Sequence, residues 1–326
     1  MSVYTTVSRQ ALIDFLADYD VGSLIGFEGI SDGIDNTNYF VDSSTGRFVL
    51  TLFEHYEEPE LGFFLELVAL LAEADLPCAH PLACAEGRYL RRLNGKPAAL
   101  VACLPGRAVE SPSIAQCAAV GESLGRIHLA ALAHPGRHAD KYGPDWFERT
   151  AQAVLPQLPE QERALMTQEL DHSLRHRHSG LPCGIIHADL FRDNALFEGE
   201  RLTGVIDFYT ACNGVLLYDL AICVNDWCVL PNGALHLARG RAFTEAYHAV
   251  RPLQEVERDA WPDLLRTAAL RFWLSRLHDK HFPREGDVTH VKDPDRFRDI
   301  LRLRSRNPAA ADTLWPVDRI PLREAR

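Results

Sequence analysis

Lysine is scarce in this chain. Lys96, Lys141, Lys280 and Lys292 are the only four among 326 residues, and positive charge is carried by arginine. No lysine precedes residue 96, and neither G-x-x-x-x-G-K-[ST] nor G-x-G-x-x-G occurs, which excludes the common glycine-loop nucleotide signatures. The eight cysteines are scattered through apolar runs, and no pair has C-x-x-C spacing. That argues against a disulfide framework and a structural zinc site, and for a reducing compartment. Long apolar runs are also missing. The longest, residues 61–72, carries Glu66 and is too short to cross a bilayer. The first ten residues lack the basic start and apolar stretch of a secretory leader. A cytoplasmic protein with no membrane association is expected. Net positive charge is absent too: the balance is −11 and the pI is near 5.7, which opposes a non-specific grip on nucleic acid. The arginine-rich tail, residues 284–326, holds nearly as many acids as bases and reads as a solvated helix with an extended end.

What is present is an ordinary globular balance, 47% hydrophobic and 24% charged, in a chain long enough for two compact units. After a short helix capped by Ser8, residues 22–30, 37–42 and 47–53 read as strands, 59–74 as an amphipathic helix, and 88–93 and 97–103 as two more strands. Beyond Pro105-Gly106 the texture becomes helical: 114–132, 144–155, 159–177, 216–227, 234–249, 255–282 and 293–304. One β-rich island interrupts at 183–208. The expected fold class is α+β. A small N-terminal lobe (1–103) of antiparallel sheet plus helix precedes a larger, mainly helical C-terminal lobe (104–326). A cleft between two lobes is a common place for a ligand.

The island holds the chemistry. An apolar run leads into His187-Ala-Asp189-Leu-Phe-Arg-Asp-Asn194, a second strand follows, and Val205-Ile-Asp207-Phe208 ends the segment. Two short strands thus each deliver an acid at or just beyond their ends. Phosphoryl transfer needs such a kit: a carboxylate to take or orient the proton of the attacking hydroxyl, and hard oxygen ligands to hold Mg²⁺ against the phosphates. Protein kinases use H-R-D-x-x-x-x-N followed by D-F-G. Here His187, Asp189, Asn194 and Asp207 keep that order and that five-residue gap, with Tyr209 in the glycine's place. Asp189 is read as the catalytic base, Asn194 and Asp207 as Mg²⁺ ligands, and His187 as a loop-holding residue placed with the catalytic group.

These motifs, with Tyr218-Asp219-Leu-Ala221, resemble the aminoglycoside phosphotransferase-like kinases. Within them, the chain is most similar to the homoserine kinases. The segments from Gly33 to Val41, from Phe48 to Glu54 and from Arg271 to Leu277 point to that branch, and the likeness runs from about residue 8 to 305. The resemblance implies a protein-kinase-like two-lobe fold, with ATP and Mg²⁺ as cofactors. It implies L-homoserine as the acceptor, phosphorylated on its hydroxyl in threonine biosynthesis. It also implies that Asp219 is a buried carboxylate bracing the catalytic loop, although an acid favoured by the helix dipole fits the same position.

The remaining candidates fall on either side of that centre. Gly29, Ser31, Gly33, Asn36 and Asn38 form a small, polar loop between two strands whose backbone N–H groups could approach phosphates. Cys103 and Leu104 end the strand expected to meet adenine through its backbone. Thr51 stands where most kinases of this superfamily carry a lysine, so Glu66, the nominal partner of that lysine, is read as a solvent-facing acid. Arg271 and Arg276 are candidates for an acceptor carboxylate, with Arg266 and His278 nearby, and Asp226 for its ammonium. Residues five apart lie about 140° apart on a helix, so at most one of the two arginines points at a substrate. Three alternatives stay open. The same kit serves other small alcohols such as an amino sugar, choline or a methylthio sugar. The missing lysine fits a non-catalytic nucleotide-binding module. A metal-dependent hydrolase on His187 and Asp189 would need further ligands beside them and no ATP. Oligomeric state is not written in these motifs.

Overall fold

The computed structural model describes residues 5–30, 36–176, 178–283 and 292–316. Helix α1 (Arg9–Leu16) starts at Ser8, whose Oγ accepts the Ala11 N–H at 3.2 Å. Its buried positions, Leu12, Phe15 and Leu16, lie on the face turned to the sheet core. Strands β1 (Leu24–Gly29), β2 (Asn36–Ser43) and β3 (Arg47–Phe53) form a meander, followed by α2 (Glu58–Glu73), β4 (Leu90–Leu93) and β5 (Lys96–Ala102). Every pairing is antiparallel and the order is β1-β2-β3-β5-β4. The β4–β5 turn is Asn94-Gly95, both with φ near 50–77°, the left-handed pair that a two-residue hairpin requires.

The rest of the chain is mainly helical: α3 (Ile114–Ala131), α4 (Pro144–Val154) and α5 (Glu160–Arg175) come first. Four short strands follow, β6 (Cys183–Ile186), β7 (Ala195–Glu198), β8 (Arg201–Val205) and β9 (Cys212–Val215). Then come α6 (Leu216–Trp227), α7 (Leu237–Val250), α8 (Glu255–His281) and α9 (Asp295–Arg306). The island expected at 183–208 is not one unit. It divides into two ladders, β7 with β8 and β6 with β9, and β9 was not anticipated because its four residues carry no alternation. Helices α3 and α7 pack so closely that a Cβ on Gly121 would sit 2.2 Å from the Phe243 carbonyl oxygen.

Two cores position the cleft. Leu12, Val41, Leu50 and Leu100 close the outer face of the sheet under α1. Phe53 and the inner face of α2 (Phe64, Leu67, Leu71) join the larger core of α3, α6 and α8. Burying several leucine- and phenylalanine-sized side chains there, at about 1.5–3 kcal/mol each, fixes the sheet's inner edge over the catalytic segment. No helix among the described residues is long and apolar enough to cross a membrane.

Candidate active site

Strand β6 ends at Ile186 and the chain turns sharply at Ala188, which has φ 63° although it is not glycine. Left-handed backbone costs an ordinary residue about 1–2 kcal/mol, so something must hold it. Asp219, fully buried in the first turn of α6, accepts the His187 N–H at 2.8 Å and the Ala188 N–H at 2.9 Å. His128 Nε2 donates to the same carboxylate at 3.0 Å. The Ala188 carbonyl accepts from Arg271 Nη1. Burial acts upward on the Asp219 carboxyl, but His128 and the His187 N–H hold it below its ordinary value, so it stays ionised.

The turn aims Asp189 into the cleft. Burial pushes its carboxyl up to about 7, Arg271 opposes the rise and Asp207 adds to it. Asn194 Nδ2 donates to the Asp189 carbonyl at 2.9 Å and approaches Asp189 Oδ2 at 3.4 Å. That spends the amide N–H₂ and leaves Asn194 Oδ1 as the outward group. His187 is buried and kept neutral, chiefly by burial. Its Nε2–H donates to the Ile206 carbonyl at 3.0 Å and its Nδ1 accepts the Asp189 N–H at 3.3 Å. One imidazole therefore ties the two acid-bearing segments together.

The Ile206 N–H donates to the Asn194 carbonyl at 3.0 Å, so Asn194 and Asp207 leave the open end of the same β7–β8 hairpin. Asp207 is exposed and, at φ 63° and ψ 59°, is also left-handed. Ala188 and Asp207 are thus both left-handed, and the Asp219 and Arg271 hydrogen bonds hold the first of them. Asn194 lies against Asp189, and Asp207 is near enough to raise the Asp189 carboxyl. Carboxylate and amide oxygens are the ligands Mg²⁺ prefers, so the donor set fits that ion.

The comparisons with known proteins agree with this geometry. The phosphotransferase enzyme family model matches residues 26–253. The chain belongs to that family. A homoserine kinase of Methylobacillus flagellatus is 50% identical over 93% of this chain and 95% of its own length. One from Neisseria meningitidis serogroup B is 43% identical over 92% and 99%. Among solved structures, a microcompartment-associated aminopropanol kinase superposes with a TM-score of 0.70 at 18% identity, over 95% of this chain and 99% of that one. Spectinomycin phosphotransferase, solved with ADP and spectinomycin, gives 0.69 at 14% identity over 95% and 100%. These two share the kinase-like fold.

On the nucleotide side of this phosphotransferase, Ser31 and Gly33 lie outside the described residues. Gly29 closes β1 opposite Tyr39, and Asn36 is buried with its Oδ1 unpartnered among the described residues. Asn38 and Thr51 face each other in the β2–β3 register, and Thr51 Oγ1 donates to Asn38 Oδ1 at 2.7 Å. That bond engages the Thr51 hydroxyl within the sheet, while the Asn38 amide N–H₂ is not committed by it. The Tyr209 hydroxyl hydrogen-bonds to Thr51, and its ring sits edge-on to Phe53 at 5.1 Å and to Phe64 at 5.9 Å. Position 51 thus carries a neutral contact to the segment that follows Asp207, and Glu66 is exposed as expected. At the hinge, the Cys103 N–H is taken by the Arg47 carbonyl at 3.3 Å. Leu104 keeps a backbone N–H without a protein partner among the described residues.

On the acceptor side the structure separates the candidates. Asp226 is buried and accepts from Arg192 N, Nε and Nη2 and from Arg296 Nη2, at 2.9–3.3 Å. A carboxylate offers about four lone-pair sites, so none is left for a substrate ammonium. Arg271 is sandwiched between the Tyr142 ring at 4.0 Å and the Phe272 ring at 4.2 Å, and its Nε is buried with no partner. It serves the loop rather than the cleft. Arg276 differs. It is 9% exposed, gives Nη1 to the Asp293 carbonyl at 3.0 Å, and rests over Phe297. No carboxylate pairs with it among the described residues. Burial, with Arg296 beside it, pulls its pKa down to about 10, and Asp189 is within electrostatic reach.

Proposed function

We propose that this chain transfers the γ-phosphoryl group of ATP to the side-chain hydroxyl of L-homoserine, giving ADP and O-phospho-L-homoserine, the phosphorylation step of threonine biosynthesis. The carrying observation is Asn194 set against Asp189, with Asp207 within electrostatic reach of that carboxyl, in a chain 41–50% identical to homoserine kinases over more than nine-tenths of its length. The acceptor oxygen bonds to the γ-phosphorus as the bond to the β,γ-bridging oxygen breaks, and Asp189 receives the hydroxyl proton. Asn194 Oδ1 and the Asp207 carboxylate would hold Mg²⁺, which neutralises charge on the phosphates. His187 and Asp219 fix the loop, and positioning carries most of the catalysis in a loose transition state.

Arg276 is the acceptor's carboxylate anchor in this reading. A buried guanidinium without an acid, next to another arginine, is destabilised by desolvation and repulsion, and an incoming carboxylate relieves both. The test is a panel of hydroxyl acceptors with ATP and Mg²⁺, followed by ADP release and run beside Asp189→Asn. Homoserine should exceed an amino sugar, choline and aminopropanol in kcat/KM, and Asp189→Asn should lose turnover by 10² or more. Equal use of all acceptors would refute the substrate. Full turnover by the variant would refute the base.

A further inference from the structure

Away from the cleft, three histidines gather on one carboxylate. His172 lies in the last turn of α5, His176 caps that helix, and His178 follows two residues later. Two of the three, His172 and His178, bond Asp263 of α8. His172 Nε2 bonds Asp263 Oδ1 at 2.7 Å, and His178 Nε2 bonds Asp263 Oδ2 at 3.0 Å. His176 joins neither bond. Its ring stacks on His172 at 4.0 Å, with an interplanar angle of 26°, and its Nδ1 is used on the His172 carbonyl at 2.9 Å. His176 is exposed, and a ring nitrogen of it lies beside the His172–Asp263 pair. The ligand atoms of His172, His176 and Asp263 all lie within 4.8 Å of one another.

We infer that His172, His176 and Asp263, with His178 available as a fourth ligand, form a binding site for a borderline divalent transition metal such as Zn²⁺, stapling α5 to α8. Two histidines four apart on a helix and a carboxylate on a facing helix are a common Zn²⁺ ligand set, and imidazole nitrogens exclude Mg²⁺ and Ca²⁺ in favour of Zn²⁺, Ni²⁺ or Co²⁺. Zinc–ligand bonds of about 2.0–2.1 Å require ligand atoms about 3.3 Å apart in a tetrahedron, so the His172–Asp263 pair at 2.7 Å must open slightly and the wider separations, up to 4.8 Å, must close by up to about 1.5 Å. His176 sits at an exposed helix end, where rotation of its side chain supplies that movement. His172, His178 and Asp263 retain about a fifth of their side-chain surface, which leaves the ion a path in. The metal takes the place of the hydrogen-bonding proton on His172 Nε2, which is released or moves to Nδ1, and the single Asp263 carboxylate offsets half of the ion's charge.

A simple ion pair between α5 and α8 would need His172 and Asp263 but not His176, and that difference is the test. The full chain carrying Cys183→Ser, which removes the exposed thiol, is titrated with Zn²⁺ in excess Mg²⁺ by calorimetry, and Tm is read with and without Zn²⁺. We expect one Zn²⁺ per chain at micromolar Kd and a Tm that rises with Zn²⁺. His176→Gln should leave the metal-free Tm unchanged, weaken Zn²⁺ at least tenfold and abolish the rise. No saturable binding, or binding that survives His176→Gln undiminished, overturns the site. Co²⁺ should give the visible absorption of a tetrahedral nitrogen–oxygen site, lost in the same variant.

Discussion

Asp219→Asn isolates the device that bends the catalytic loop. The substitution is isosteric, so packing in the first turn of α6 is kept. The new amide must point its N–H₂ somewhere. At the Oδ2 position it would meet both the His187 N–H and His128 Nε2, whose other nitrogen is engaged by the Tyr247 hydroxyl at 2.8 Å. The less costly placement faces Ala188, where two donors then oppose each other across 2.9 Å. An unsatisfied buried N–H costs about 1–3 kcal/mol, and here it frees a residue whose left-handed backbone already costs about 1–2 kcal/mol. The loop is expected to relax toward ordinary φ and carry Asp189 out of line. A loss of about 1.4–2.8 kcal/mol in the transition state lowers kcat about 10- to 100-fold. The assay is ADP release with saturating ATP and homoserine, beside thermal unfolding. Because the Asp219 pKa is depressed, its stabilising contribution is complete at neutral pH and is lost only as pH falls through the folded-state value. Measured near pH 7.5, the variant should therefore show the whole effect in both Tm and kcat. An Asp219→Asn enzyme with unchanged kcat would refute the bracing role, whatever its Tm.

Other consequences follow from the same geometry. Arg276→Met should raise KM for homoserine by one to two orders of magnitude while KM for ATP stays within twofold, because the arginine lies on the acceptor side; equal shifts in both would remove it as the anchor. Asp189 is an acid with its folded pKa raised to about 7, so kcat/KM should rise with pH through about 7 and level off above it. The sign for stability is opposite. Between the unfolded carboxylate value and about 7 the folded state holds the extra proton, so stability falls as pH climbs through that window, and Asp189→Asn should be inactive yet more heat-stable than the parent at pH 8. A lower Tm for that variant would contradict the burial argument. Thr51→Val strands Asn38 Oδ1 and should cost about 1–2 kcal/mol in denaturant unfolding, with little change in KM for ATP; a large rise in KM would show that the hydroxyl does reach phosphate.

The catalytic segment was legible because its chemistry is compressed into one hairpin. His187, Asp189 and Asn194 keep fixed spacing since a single turn must present a base and a ligand, and Asp207 follows at the hairpin's other end. The sheet and helices were legible from periodicity, apart from β9, which is too short to show any. Residues whose roles depend on long-range partners were not. Asp226 looks free in Val224-Asn-Asp-Trp227, yet Arg192 and Arg296, 34 and 70 residues away, fill its lone pairs. Helical spacing could say that Arg271 and Arg276 diverge but not what each one meets, because that is decided by Tyr142 covering Arg271 while Arg276 has no ion pair among the described residues and only the more distant fields of Asp226, Asp189 and Asp193. His128 gave no sequence signal at all, being one polar residue inside an apolar helix.

Histidines stand at 172, 176 and 178. An H-x-x-x-H-x-H run is plain in the sequence, but only the arrival of Asp263 from α8 gives it a fourth member. The same logic explains the missing lysine. A phosphotransferase that lacks it must still hold the metal-binding loop against the sheet, and Tyr209 does so in the glycine's position by placing its ring among Phe53, Tyr56 and Phe64 and its hydroxyl on Thr51. The tie is neutral and apolar, so its strength should be nearly independent of salt, since screening acts on exposed charges and leaves buried rings untouched.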